Sequence, residues 1–227
     1  MKGPPTELKW AKPKKDEVEE SKSTVEKEVS AIVNKKILIL LNIETTHNVE
    51  ITFSSQYGKL VDYQWFGDGY VAASFTNGVL SIISTHKKEI GSEIHSLALF
   101  NSTIEAMIIN EELGKVAVAA HGVIKIVNMN DWTEIKSEEI ALSGDVGRIT
   151  SLVWTSDGQI LTCTTSNGYL YGFLMVIPGL CCAHGTHIAM LSTLSKVEIK
   201  DCLRNNLTVN KINLDIEPAF LALGENH

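Results

Sequence analysis

The stretch "WFGDG" at residues 65–69 precedes an apolar run and "TNG" at 76–78, and the same phrase recurs as "WTSDG" at 154–158 before a second apolar run and "SNG" at 166–168. Asp-Gly and Asn-Gly pairs favour tight hairpin turns, because Gly and Asn tolerate the positive φ angles that a type I′ turn requires. The phrase therefore predicts two successive hairpin turns in each of two repeated units.

A third unit lies between these two, in which "NEELGK" and "HG" supply the turn glycines. The six turn glycines are, in chain order, Gly69, Gly78, Gly114, Gly122, Gly158 and Gly168. The first-turn glycines are spaced by 45 and 44 residues and the second-turn glycines by 44 and 46. A period of about 40 to 50 residues with four strands in each unit is typical of β-propeller blades. No sustained apolar pattern at helical spacing supports a helical solenoid.

The predicted fold class is therefore all-β, a partial WD-repeat-like β-propeller of about four blades, each a four-stranded antiparallel sheet. Strands covered on both faces should be apolar throughout, as "ILILL" at 37–41 and "VAVAA" at 116–120 are. Trp65 and Trp154 each end the first strand of a unit, and we expect them to pack between adjacent blades instead of stacking on a ligand.

Four polar residues at the turns are expected to be turn formers: Asp68, Asn77, Asp157 and Asn167. Asp68 and Asp157 could also be considered as paired catalytic carboxylates. They occupy equivalent turn positions in different blades, however, and this favours the structural role.

Composition narrows the class of protein. Hydrophobic residues make up 44% of the 227 residues and charged residues 21%, as in a soluble globular protein. The net charge of −7 argues against nucleic-acid binding, which needs clustered Lys and Arg. The start of the chain has no apolar signal region, and no apolar stretch is long enough for membrane insertion.

The domain prediction divides the chain into a flexible charged segment at 1–28 and the partial propeller at 29–227. Residues 11–28, "AKPKKDEVEESKSTVEKE", alternate blocks of Lys and Glu with almost no apolar content. Such a segment buries too little surface to offset its ordering entropy.

Few residues are candidates for metal binding or catalysis. Cys181, Cys182, His184 and His187 carry ligand types that suit zinc, but adjacent cysteines do not easily reach one ion, so neither a metal nor a cofactor is expected. An enzyme site on the propeller axis would need converging polar groups, and the innermost strands "IEAMII" and "ITSLVW" offer Glu105, Thr150 and Ser151. The sequence therefore indicates a protein that is not an enzyme.

Longer strings carry a family resemblance. "YQWFGDG", "GVLSIISTHKKEIGSEI", "GKVAVAAHGVIKIVNM", "LVWTSDGQIL" and "HIAMLSTLSKVEI" occur in this order between about Val29 and Leu223. Together they resemble the later part of the amino-terminal propeller of the intraflagellar transport protein 144 family, also called the WD repeat-containing protein 19 family. No unit has the Gly-His and Trp-Asp pairs of well-formed WD repeats.

The resemblance implies a non-catalytic scaffold subunit of intraflagellar transport complex A. It implies roles in retrograde ciliary transport, ciliary membrane-protein trafficking and cilium assembly. The implied partners are the other subunits of that complex and, indirectly, the dynein motor and membrane cargo, and the implied location is the cilium and the cytoplasm near the basal body. A vesicle-coat scaffold is the alternative. The resemblance also implies that the chain is part of a longer protein, so residues 29–227 alone should aggregate or need a partner.

Overall fold

The computed structural model describes residues 5–12, 28–176, 179–193, 195–204, 206–216 and 218–224. These residues form five antiparallel sheets. The first sheet contains β1 (Pro5–Trp10), β2 (Glu28–Val33), β3 (Ile37–Asn42) and β4 (Asn48–Thr52). The second contains β5 (Leu60–Phe66), β6 (Tyr70–Phe75), β7 (Val79–Ser84) and β8 (Glu93–Ala98). The third contains β9 (Ala106–Asn110), β10 (Lys115–Ala120), β11 (Val123–Asn128), β12 (Thr133–Glu134) and β13 (Ile140–Ala141). The fourth contains β14 (Ile149–Trp154), β15 (Ile160–Thr165) and β16 (Leu170–Leu174). The fifth contains β17 (Cys181–His184), β18 (His187–Thr193), β19 (Lys196–Asp201) and β20 (Leu207–Asn213).

Each sheet is a meander, since strands that are consecutive in the chain pair with one another, and β13 adds to β11. The helical residues among those described are three short 3-10 turns, Ser55–Tyr57, Lys136–Glu138 and Cys202–Arg204. None of the described helices could span a bilayer. The predicted all-β, partial propeller class is confirmed, with five sheets instead of about four.

Strand β1 lies within segment 1–28, which the sequence predicts to be flexible. It pairs antiparallel with β2, so that Pro5 lies opposite Val33 and Trp10 opposite Val29. Local composition does not reveal this pairing, because the stabilising partner lies beyond a charged stretch that precedes β2. Residues 13–27, the remainder of the charged blocks, lie outside the described residues.

The described residues divide into two compact units. The larger comprises those up to Trp154 together with Thr162–Tyr171, and the smaller comprises Thr155–Leu161 with those from Gly172 onward.

In the larger unit, both faces of the second sheet are buried. Val71 and Phe75 of β6 pack in one cluster with Ile32 of the first sheet. Ala72, between them in the strand, packs in another cluster with Val116 of the third sheet. Because successive side chains of a strand point to opposite faces, β6 is apolar at every one of these positions.

In the smaller unit, the core of the fifth sheet is small. Its buried residues are Ala189, Leu191 and Val197. The edge strand β20 is largely exposed, with 57% of Leu207 and 55% of Val209 accessible to solvent. This sheet therefore presents apolar side chains along an open edge.

Candidate functional site

A buried polar network joins the first and second sheets of the larger unit. The Trp65 Nε1–H donates to Ser30 Oγ at 2.8 Å, and that hydroxyl lies 3.0 Å from the Lys9 carbonyl oxygen. Tyr63 Oη lies 2.9 Å from Ser30 Oγ and 2.7 Å from the Glu7 carbonyl oxygen. Burial raises the pKa of Tyr63 to about 12. Trp65 thus lies between adjacent sheets, and its ring nitrogen is used in a structural contact.

Side chains also link the innermost strands to one another. The Gln64 amide of β5 donates to the Met107 carbonyl oxygen at 2.8 Å and accepts from the Ile109 N–H at 3.0 Å. The Gln64 side-chain amide thus makes the two hydrogen bonds to β9 that a backbone residue of a paired strand would make. A cavity of about 380 Å³ runs beside these strands, lined by residues that include Glu7, Lys9, Asp62, Gln64, Glu105 and Thr150.

Most of the charge near this cavity is paired. Lys9 Nζ lies 2.7 Å from Asp62 Oδ1 and also donates to the Tyr63 carbonyl oxygen. Glu105, the residue considered for an axial enzyme site, accepts the Ile149 N–H through Oε2 at 2.9 Å. Its carboxylate therefore links the start of β9 to the start of β14.

A repeated hydrogen-bonding arrangement, here named the turn clasp, occurs in the second and fourth sheets. In the second sheet the Lys59 N–H donates to Thr76 Oγ1 at 2.9 Å and the Thr76 N–H donates back to the Lys59 carbonyl oxygen at 2.9 Å. In the fourth sheet the Arg148 N–H donates to Ser166 Oγ at 2.9 Å and the Ser166 N–H donates back at 2.7 Å. Each clasp joins the turn between the second and third strands to the segment that leads into the first strand.

The asparagine of each clasp makes the same contact. Asn77 Nδ2 donates to the Gln56 carbonyl oxygen at 2.7 Å, and Asn167 Nδ2 donates to the Asp145 carbonyl oxygen at 3.1 Å. Both acceptors lie three residues before the basic residue of their clasp. The "TNG" and "SNG" motifs therefore supply side-chain hydrogen bonds as well as turn geometry.

A glycine precedes each basic residue because the turn leaves no room for a side chain. A Cβ on Gly58 would lie 2.2 Å from Thr76 Oγ1, and a Cβ on Gly147 would lie 2.4 Å from Ser166 Oγ. Sequence reasoning missed these residues. The signal was present as "GK" at 58–59 and "GR" at 147–148, each before the first strand of its unit.

A second cavity, of about 820 Å³, opens at the turn-clasp end of the larger unit. Its lining includes Thr76, Ser102, Glu105, His121, Arg148 and Ser166. The Arg148 side chain is 74% exposed, and its Nε lies 3.7 Å from Glu105 Oε1. The third sheet contributes His121, which precedes Gly122 at the position that Asn77 and Asn167 occupy in the other two sheets; its φ is 49°.

The structure places the six predicted turn glycines in turns at positive φ. Their φ angles are 73° for Gly69, 75° for Gly78, 61° for Gly114, 71° for Gly122, 68° for Gly158 and 83° for Gly168. At Gly78 the close approach is as important as φ, since an added Cβ would lie 1.9 Å from the Phe100 carbonyl oxygen.

The two turn aspartates have different surroundings. Asp157 Oδ1 accepts hydrogen bonds from Thr155 Oγ1 at 2.5 Å and from the Gln159 N–H at 3.1 Å. The Thr155 hydrogen bond lowers the pKa of Asp157. Asp68 Oδ2 lies 3.9 Å from His86 Nε2. Each aspartate contacts groups near its own turn.

Glu111 joins the first turns of two neighbouring sheets. It accepts the Gly67 N–H through Oε2 at 3.0 Å and hydrogen-bonds Lys12 through Oε1. Burial acts to raise the pKa of Glu111, but these hydrogen bonds outweigh it and lower the pKa overall.

Trp154 differs from Trp65. Its ring nitrogen is buried and has no hydrogen-bond partner among the described residues. Trp65 and Trp154 are thus equivalent in the repeat but not in their polar contacts.

The predicted zinc candidates lie on one hairpin. Cys181 and Cys182 are adjacent in β17, so their side chains point to opposite faces. His184 lies opposite His187 across the turn. The described residues contain no group of three or more His, Cys, Asp or Glu side chains positioned to hold a metal ion.

Comparison with known proteins identifies relatives by sequence. The family model "WDR19 first beta-propeller" matches residues 1–168. The mouse protein named WD repeat-containing protein 19 is 33% identical over 230 residues, covering 100% of this chain and 17% of the relative. The human protein of the same name is 32% identical over 208 residues, covering 90% of this chain and 15% of the relative. The chain therefore spans less than a fifth of the length of these relatives.

The solved structure of Sqt1 from Saccharomyces cerevisiae superposes with a TM-score of 0.58 at 15% identity. The match covers 86% of this chain and 55% of that one. At this level of identity the similarity concerns the fold alone.

Proposed function

Because the chain belongs to the WDR19 first beta-propeller family, we propose that it is a non-catalytic scaffold in ciliary transport that acts by binding other proteins. The match of the family model to residues 1–168 is the observation on which this proposal rests. More specifically, the chain belongs to a subunit of intraflagellar transport complex A, which acts in retrograde transport, ciliary membrane-protein trafficking and cilium assembly. It resides in the cilium and in the cytoplasm near the basal body.

The geometry of the larger unit supports a binding role over catalysis. Glu105 accepts a backbone N–H, and Lys9 is paired with Asp62, so these groups stabilise the packing of strands. The loops and turns lie on a rigid base of sheets, an arrangement that suits recognition of protein partners. The proposed partners are the other subunits of the complex, with the dynein motor and membrane cargo associated through them.

Purification of a tagged chain from ciliated cells, followed by mass spectrometry, tests this proposal. Subunits of intraflagellar transport complex A should co-purify, and the tagged protein should localise to cilia. A chain carrying Gly78→Ala, which disrupts the second sheet, is the matched control and should recover fewer of these subunits. Recovery of vesicle-coat subunits, or localisation to Golgi-derived vesicles, would replace this proposal with a coat function.

A further inference from the structure

The cavity of about 820 Å³ at the turn-clasp end of the larger unit is lined by several side chains that can donate hydrogen bonds. Thr76 Oγ1 and Ser166 Oγ each accept a backbone N–H from their clasp, which leaves the hydroxyl proton available to donate. The side chains of Ser102 and His121 line the cavity and form no hydrogen bond within the described part of the chain.

Arg148 supplies the positive charge of this cavity. Its side chain is 74% exposed, and its contact with Glu105 is made through Nε at 3.7 Å, which is longer than a hydrogen bond. The Arg148 guanidinium forms no hydrogen bond with the described residues, so its terminal N–H groups can bind a planar acceptor. Of the two Glu105 carboxylate oxygens, Oε2 accepts the Ile149 N–H and Oε1 lies 3.7 Å from Arg148 Nε, and the Glu105 side chain is only 8% exposed.

We propose that this cavity binds a carboxylate presented by an extended segment of a partner protein, with Arg148 as the main donor and the hydroxyls of Ser102 and Ser166 beside it. This inference rests on the proposed scaffold function and names the chemistry of the partner. A guanidinium and a carboxylate match as a bidentate pair. The cavity is large enough for several atoms on either side of the charged group.

The charge around the cavity favours a carboxylate over a phosphate. Glu105 Oε1 lies 3.7 Å from Arg148 Nε and partly neutralises the guanidinium, so a dianion would meet stronger repulsion here than a monoanion. The chain as a whole carries a net charge of −7, which also disfavours a multiply charged ligand. A monoanion therefore suits this cavity better than a dianion.

Rigidity strengthens the site. The Arg148 N–H donates to the Ser166 hydroxyl and the Ser166 N–H donates back to the Arg148 carbonyl oxygen, and Lys59 and Thr76 are joined in the same way. Groups that are already ordered lose less entropy when a ligand binds. The turn clasps therefore fix the Ser166 and Thr76 hydroxyls and the backbone of Arg148 before a partner binds.

Titration of the ¹⁵N-labelled 227-residue chain, followed by NMR, tests the proposal. The probes are N-acetyl-aspartate N-methylamide, the matching asparagine compound, N-acetylglycine and inorganic phosphate. The aspartate probe should shift the backbone amide signals of Ser102, Arg148 and Ser166 saturably, with a dissociation constant of roughly 1 mM. The asparagine probe should not. Stronger binding of N-acetylglycine would identify a chain terminus as the source of the carboxylate, and stronger binding of the aspartate probe a side chain.

Two variants distinguish a specific role of Arg148 from a general effect of positive charge. Arg148→Gln should weaken binding of the preferred carboxylate at least tenfold. Lys59→Gln changes the equivalent basic residue of the other clasp, which does not line the cavity, and should alter binding less than twofold. Equal shifts with the asparagine probe, tighter binding of phosphate, or unchanged binding by Arg148→Gln would overturn the proposal. If Arg148→Gln does not fold, the comparison of aspartate with asparagine probes on the unsubstituted chain decides.

This test is independent of the test of the proposed function. Co-purification of ciliary partners without carboxylate binding would refute the site and leave the scaffold function intact. Carboxylate binding without ciliary partners would refute the proposed function and leave the site intact.

Discussion

Ser30→Ala should destabilise the packing of the first sheet on the second. Ser30 is fully buried, and its hydroxyl accepts the Trp65 Nε1–H at 2.8 Å and contacts the Lys9 carbonyl oxygen at 3.0 Å. Alanine leaves both groups without this partner, and a buried donor left unpaired costs about 1–3 kcal/mol. We therefore expect the free energy of unfolding to fall by about 2–3 kcal/mol, with a decrease in Tm of roughly 4–12 °C for a chain of this length.

Urea unfolding followed by tryptophan fluorescence measures this change. Ser143→Ala, at an exposed position, is the matched control and should change stability by less than about 0.5 kcal/mol. Combining Ser30→Ala with Trp65→Phe should give a coupling energy on the order of 1 kcal/mol, because the donor and its acceptor are removed together. A loss no larger than that of the control, or the absence of coupling, would refute the role assigned to this network.

Three further predictions concern other parts of the fold. Tyr63 has a folded pKa of about 12, above the usual 10.0, so the associated stability is complete below pH 10 and falls by roughly 2–3 kcal/mol as pH rises to 12. Tyr63→Phe should abolish both this pH dependence and the late tyrosine titration seen by absorbance at 295 nm; a late titration that persists would assign the raised pKa to another tyrosine. Gly78→Ala should destabilise more than Gly168→Ala in thermal unfolding, since both have positive φ but only an added Cβ at Gly78 would meet a backbone oxygen at 1.9 Å; equal losses would contradict the close-approach argument. Val209→Lys should reduce self-association of the chain in light scattering without lowering its Tm, because it places a charge on the exposed edge strand β20; unchanged association would show that this edge is not used.

The parts of the fold that the sequence predicts are those determined by local chemistry. Gly69 and Gly158 lie in turns because Asp-Gly pairs favour positive φ, and the apolar runs of β6 and β10 reflect burial on both faces. These signals need only a few neighbouring residues. The repeat period then places the turns in successive sheets.

The contacts between sheets could not be predicted in the same way. Ser30 and Trp65 are separated by 35 residues, and Gln64 contacts the backbone of a strand more than forty residues away. Serine and glutamine occur in many environments, so neither residue type marks a contact. Strand β1 is a similar case, because its pairing with β2 depends on a partner across a long charged stretch.

The candidate cavity could not be predicted from the sequence either. Arg148 in "GDVGR" lacks the surroundings of a phosphate-binding loop, and Ser102 and His121 belong to separate turns. Their convergence depends on the order of the sheets. Comparison of the two clasps with each other would nevertheless have pointed to Gly58-Lys59 and Gly147-Arg148 as a repeated pair.

The turn clasps have a consequence for how such a chain can evolve. Each clasp connects a turn to the loop that leads into the same sheet, so both halves lie in one continuous stretch of the gene, as Gln56 to Asn77 and Asp145 to Asn167 illustrate. A duplication or deletion of one period, 44 to 46 residues, carries the complete set of hydrogen bonds with it. The number of blades can then change by recombination while every sheet keeps both partners of its clasp. A contact between sheets, such as that of Ser30 with Trp65, must instead form anew at each new boundary.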